Sequence, residues 1–167
     1  MITIVKSPNA DSRSAEDGLT LESLDASTKS HISDVQQGLM FFANMLMDAG
    51  WAHDFTKRAY MEEFFAALTS GNIKESKWYK MHISRERHHL LSNAPADVTL
   101  VDVFEHLVDC TMAGMARSGE VYDVDLPPEL LQLACKNTVE LLKMQVEVLT
   151  PEQAAERGLI EEEEETE

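Results

Sequence analysis

Positive charge is scarce in this 167-residue chain. Fourteen lysines and arginines stand against 30 aspartates and glutamates, a formal net charge of −16. Phosphate backbones and anionic membrane surfaces are bound through local positive charge, so broad nucleic-acid or membrane-surface binding is not expected. Cysteine is scarce too. Cys110 and Cys135 are too few for a disulfide scaffold, and both fall in apolar helical patterns, as small buried thiols of a reducing compartment do. No apolar run is long enough to span a bilayer. The opening "MITIVKSPNADSRSAEDG" lacks the apolar core of a signal peptide. A cytoplasmic location is the expectation.

What remains is a 44% hydrophobic composition, ordinary for a globular protein, in a chain long enough to build one domain with a core. The acidity is unevenly spread. Residues 151–167, "PEQAAERGLIEEEEETE", carry eight acids and one arginine, and a block of like charge reads as a solvated, disordered tail. Residues 1–26 are polar and read as an arm with one short strand at "MITIV". Between these, residues 27–150 carry helical periodicity. Ile32, Val35, Leu39, Phe42, Met45 and Leu46 recur at spacings of three and four up to Gly50. A second helix runs from Asp54 to Gly71, and a short one covers "IKESKWYKMHIS". "RERHHLLSNAPAD" reads as a helix end and loop. Thr99 and Asp102 resemble a capping box opening a helix that Gly119 closes. "PPELLQLACKNTVELLKMQVEVL" is the last, with proline in its first turn. The expectation is an all-α domain, a single helical bundle of about five main helices.

Six histidines punctuate this pattern: His31, His53, His82, His88, His89 and His106. Each alone has a bland account as a core, capping or loop histidine. Their order is more informative: His31, then His53-Asp54, then His82, then His88-His89, then Asp109 inside an apolar helix. His31 shares a helix face with Val35 and Phe42, which is expected to pack inward. Asp109 lies between Val108 and Cys110, and a buried carboxylate without a partner is costly. Imidazoles and carboxylates around a divalent cation remove that cost. Such a ligand set suits zinc, manganese, iron or cobalt better than calcium. His106, one turn before Asp109, reads equally as a support to a ligand or as a surface residue.

The ordered series H…HD…D in an all-helical chain resembles the HD-domain superfamily of metal-dependent phosphohydrolases. "HDFTK" (53–57) is similar to that superfamily's HD-x-x-K form, and "MHISRERHH" (81–89) to the longer series of its multinuclear members. "KWYKMHISRERHHL" also looks like small HD-like proteins of phages and bacteria, which would place a phage-encoded chain in its host's cytoplasm. The resemblance covers roughly residues 28–118 and implies an HD-like bundle. It implies that His31, His53, Asp54 and Asp109 hold one metal. Asp54 would bridge to a second, held by His82 with His88, His89 or both. Three features depart from the superfamily. The spacing from His82 to His88 is compact, the glycine-tyrosine-proline signature of the cyclic-dinucleotide phosphodiesterases is absent, and Lys57 stands where some nucleotidases carry a glutamate.

Residues 74–89 hold Lys74, Lys77, Lys80, Arg85 and Arg87 against Glu75 and Glu86, a positive stretch in an acidic chain. Positive charge beside a metal suits an anionic substrate. The function expected is a phosphohydrolase acting on a small phosphate ester, with a nucleotide suggested by family analogy alone. Asp54 would position the nucleophile. Lys57 would stabilise charge on the phosphoryl oxygens, and Lys80, Arg85 and Arg87 would bind substrate. One or two divalent transition-metal ions are the implied cofactor, and a homo-oligomer is compatible. Two rivals use the same residues: an HD-type di-iron oxygenase, and a non-catalytic helical interaction module with a structural metal.

Overall fold

The computed structural model describes residues 1–7 and 20–160, and the protein is all-α in character, with a single minor two-stranded sheet among the described residues. The described chain divides into two compact units, Phe42–Glu140 and the combination of Met1–Phe41 with Leu141–Glu167.

In the second of these, β1 (Ile2–Val5) pairs in parallel with β2 (Val146–Leu149), in the register Ile2 with Val146 through Val5 with Leu149. The strand at "MITIV" is found. Residues 146–149, expected to finish the last helix, instead form its partner. Val146 and Val148 are β-branched, and such residues suit a pleated pairing better than a helix. Residues 151–160, expected to belong to a disordered tail, are partly helical. Thr150 and Gln153 form a capping box for α8 (Pro151–Glu156), Ala154 is fully buried, and Arg157 pairs with Glu147 at 2.9 Å. Residues 161–167, with most of the acidic run, lie outside the described residues, as do residues 8–19 of the expected N-terminal arm. The long helix α1 (Leu21–Ala52) begins here, six residues earlier than its apolar periodicity indicates.

The unit Phe42–Glu140 carries the histidines from 53 onward. After the end of α1 come α2 (Phe55–Ala59), α3 (Met61–Thr69), a 3-10 turn (Ile73–Glu75), α4 (Lys77–Arg85), α5 (Leu90–Asn93), α6 (Leu100–Ser118) and the first turns of α7 (Pro128–Lys143). The helix expected over 54–71 is broken at Tyr60, whose φ of −127° and ψ of 48° leave the helical region without any proline or glycine to cause it. Tyr60 is tied instead by tertiary structure: its hydroxyl accepts a hydrogen bond from Arg85 at 3.0 Å. The core is Leu90, Val98, Val103, Leu126 and Ala134, with Leu100, Leu107 and Leu130 against it. The start of α6 is closely satisfied. Asp102 accepts from the Thr99 N–H at 2.7 Å and from its hydroxyl at 2.9 Å, and the Leu100 N–H donates to Thr138 Oγ1 of α7 at 2.8 Å. Gly119 then ends α6 in the left-handed conformation, φ 78°. These contacts fix α6, which carries Glu105, His106 and Asp109 on successive positions of its course.

Candidate metal centre

The turn between α1 and α2 places His53 and Asp54. Asp54 has φ 55° and ψ 26°, and it is the one residue other than glycine with positive φ among the described residues. Aspartate tolerates this left-handed region better than most residues, yet holding it there costs about 1–3 kcal/mol. The reversal lets two consecutive side chains address one point. His53 Nε2 lies 3.5 Å from Asp54 Oδ2 and 3.5 Å from Asp109 Oδ1. For bonds of about 2.1 Å to a tetrahedral ion, neighbouring ligand atoms stand roughly 3.4 Å apart. His53, Asp54 and Asp109 therefore meet as the ordered series suggested.

His31 belongs to the other compact unit, exposed on α1 beside Asp34. Val35, expected to share an inward face with it, is exposed as well. Glu105, which the sequence pattern did not single out, joins the group around His53. It accepts a hydrogen bond from His53 Nδ1 at 2.9 Å and stands 3.0 Å from His88 Nδ1. Its signal was its place four residues before Asp109, on the same face of the same helix.

The segment from 82 to 89 approaches from the other side. His88 is 1% exposed and His82 2%, so neither belongs to a wet loop. His82 Nε2 lies 3.6 Å from Asp54 Oδ1, His88 Nε2 lies 3.9 Å from the same oxygen, and His82 Nε2 meets His89 Nε2 at 2.8 Å. Asp54 thus turns Oδ2 to His53 and Oδ1 to the three later histidines. Two groups have ligand atoms all within 4.8 Å of one another: His53, His88 and Glu105, and Asp54, His88 and His89. Either could hold a metal ion. His88 belongs to both, and a neutral imidazole has one lone pair, so it can serve one of them at a time.

The hydrogen bonds around the cluster fix its tautomers. The Thr56 hydroxyl donates to Glu86 Oε1, so its contact with His82 Nδ1 at 2.6 Å must be an N–H donated by the imidazole. That leaves the Nε2 lone pair of His82 to accept from His89 Nε2 at 2.8 Å, with Asp54 Oδ1 3.6 Å away. His106, buried, donates from Nδ1 to the His88 carbonyl at 2.9 Å and braces that residue. Trp78 stacks beneath His82 with ring centroids 4.7 Å apart, which gives it a packing role, while Trp51 is exposed.

Three buried side-chain atoms lack a hydrogen-bond partner among the described residues: Asp54 Oδ1, His88 Nδ1 and Trp78 Nε1. Two of them belong to this cluster, and buried polar atoms are rarely left so. The charges agree. Burial pulls His82 down, and burial with the nearby His88 and His82 brings His89 to about 4, so both are neutral imidazoles at pH 7. Asp109 and then Glu105 hold the His53 imidazolium and raise it to about 10. Burial pushes Glu105 up, but its bond to His53 and the adjacent His88 ring prevail and hold it near 2. His53 in turn keeps Asp109 below the usual carboxylate range. In the metal-free protein the His53 proton occupies the place a cation would take.

The expected substrate-binding cations each contact other side chains. Lys57 does sit at the cluster, with its ammonium on Asp54 Oδ2. Arg87 spends its guanidinium on Asp102, at 2.6 and 3.0 Å, and on Asp97 at 3.1 Å, bracing the start of α6. Arg85 holds Tyr60, and Lys80 pairs with Glu75 at 3.3 Å.

A pocket of about 480 Å³ opens on the cluster between α6 and the last turns of α1. His53, Glu105 and Asp109 form its polar part, and its remaining lining residues are apolar or glycine. No protein-family profile, curated protein or solved structure matches the chain.

Proposed function

We propose that the protein is an HD-type metal-dependent phosphohydrolase acting on a small phosphate ester. The observation that carries this reading is the buried, unpartnered Asp54 Oδ1, faced by the imidazole nitrogens of His82 and His88. A carboxylate oxygen so placed is costly without a cation. His53, His88 and Glu105 would hold one ion, with Asp109 beside His53, or Asp54, His88 and His89 would hold it, with His82 beside them. Imidazole nitrogen mixed with carboxylate oxygen favours manganese, iron, cobalt or zinc. A divalent ion supplies an acidified water and positive charge for phosphoryl oxygens.

The chain's own residues do the rest. Asp54 orients the nucleophile between its two sets of neighbours. Lys57, already on Asp54 Oδ2, donates to the phosphoryl oxygens as charge gathers there. Thr56 and Glu86 hold the His82 tautomer, and His106 holds the His88 backbone.

The test is metal content and phosphate release on wild type and Asp54→Asn. The variant keeps shape and loses the negative charge, so bound metal and phosphate release should fall together while the fold survives. Phosphate release retained by a metal-free Asp54→Asn protein overturns the reading. The di-iron oxygenase alternative draws support from the apolar pocket beside the cluster, since oxygenases act on unactivated C–H bonds. Product formed only in the presence of oxygen, with iron bound, would favour it.

A further inference from the structure

We infer that the ester's organic group is apolar, an alkyl or simple aryl chain, and that it lies along α6 with its phosphate at the His53–Glu105–Asp109 end of the pocket. The inference deepens the phosphohydrolase reading and rests on it for the identity of the head group.

Three observations carry it. First, the pocket is divided by chemistry. Every polar side chain lining it belongs to the metal cluster, and beyond them the walls are hydrocarbon and glycine. Second, the wall has a direction. Phe104, Val108 and Met112 fall at intervals of four on α6, one stripe on the helix, and each is more than half exposed. Glu105 and Asp109 follow Phe104 and Val108 by one residue each, so the apolar stripe runs beside the acidic one. Leu46 of α1 faces the same space. Third, the pocket provides no partner for a sugar hydroxyl or the edge of a base. A ribose or purine seated there would lose water at its polar atoms and regain no hydrogen bond, a penalty a hydrocarbon does not incur. A pocket made to hold a polar organic group shows at least a few convergent donors and acceptors away from the reacting centre.

Two carboxylates at the polar end also set a condition. They repel an anionic head unless a cation stands between, so binding of such a ligand must depend on metal.

The experiment uses the full chain loaded with manganese and a series of non-hydrolysable n-alkylphosphonates from ethyl to hexyl, measured by calorimetry. Adenosine monophosphate and hexanol serve as comparators. Affinity should tighten about three- to fourfold per added methylene, the worth of one buried CH₂. Hexanol, with no head for the metal, should bind at least tenfold more weakly than hexylphosphonate. Val108→Asp should flatten the series, as should the milder Met112→Gln. Both side chains are exposed, so a circular dichroism spectrum like that of wild type is expected. A flat wild-type series, adenosine monophosphate bound tighter than hexylphosphonate, or hexanol binding as well as hexylphosphonate overturns the inference. A steep series with no phosphate released from hexyl phosphate keeps the pocket and removes the phosphohydrolase reading. A chain that takes up no manganese removes both.

Discussion

Replacing Thr56 by valine tests whether its hydroxyl sets the His82 tautomer that the proposed metal centre requires. Thr56 is fully buried, and its hydroxyl stands between Glu86, to which it donates, and His82 Nδ1, from which it accepts. Valine keeps the shape and removes both bonds. Glu86 keeps the Thr56 backbone N–H at 2.8 Å, so it is not stranded. The His82 Nδ1–H is stranded, in a side chain 3% exposed. A hydrogen bond to a charged group is worth roughly 1.5–3 kcal/mol, and an unsatisfied buried donor costs about 1–3 kcal/mol. The loss of stability should therefore be about 2–4 kcal/mol in urea titrations. The second consequence is specific. Without an acceptor at Nδ1 the imidazole can carry its proton on Nε2, the atom that faces Asp54, and metal affinity should drop ten- to a hundredfold. Thr56→Ser restores the hydroxyl and should recover metal affinity while losing only the methyl packing. Nitrogen-15 chemical shifts of His82 should report the Nδ1–H tautomer in wild type and a mixture in the valine variant. A Thr56→Val protein that is less stable yet binds metal as tightly as wild type would refute the reasoning, because the hydroxyl would then be a packing group alone.

Lys57→Ala should keep bound metal and lose turnover about a hundred- to a thousandfold, as one charge-assisted donor at a transition state is worth; an unchanged kcat in phosphate-release assays would remove Lys57 from the chemistry. In the metal-free protein, the His53–Glu105 pair should make stability bell-shaped in pH. Glu105 is depressed, so its contribution is present above pH ~4.5 and is lost as pH falls toward 2; His53 is raised, so its contribution is present below pH ~6.5 and is lost as pH rises through about 10. Thermal melts of Glu105→Gln across pH 3–10 should show a flatter profile, and an unaltered profile would contradict the pairing. Arg87→Met should cost roughly 1.5–3 kcal/mol by leaving buried Asp102 with only the Thr99 donors; a raised KM with unchanged melting would instead return Arg87 to substrate binding.

Local chemistry was legible where the cause is local. Thr99 and Asp102 cap α6, Gly119 ends it, and the histidines from 53 to 89 gather around Asp54 with Asp109. Spacing alone could not reveal Glu105, because an acid on an amphipathic helix reads as solvated until a second element covers it. Nor could it reveal the Thr56–Glu86 contact, which joins residues 30 positions apart. Tyr60 breaks a helix that every neighbouring residue favours, a tertiary override of propensity. Val146–Leu149 is too short for its periodicity to separate strand from helix, and only its partner at Ile2–Val5 decides. Arg87 and His31 were placed by pattern, yet one is bound up with Asp102 and the other lies exposed.

The left-handed backbone at Asp54 governs how substitutions there must be read. Alanine at 54 would remove a carboxylate and also force a Cβ-bearing residue without a polar tip into a conformation it resists. Glycine would do the reverse, relaxing the turn while deleting the side chain, and could raise thermal stability in a protein that has lost its centre. An alanine scan and a glycine scan would thus disagree in sign about the same position. Asparagine alone separates the two roles, since it is at ease in that conformation and differs from aspartate by charge. The turn makes position 54 a place where the identity of the replacement, more than the loss of the residue, sets the measured outcome.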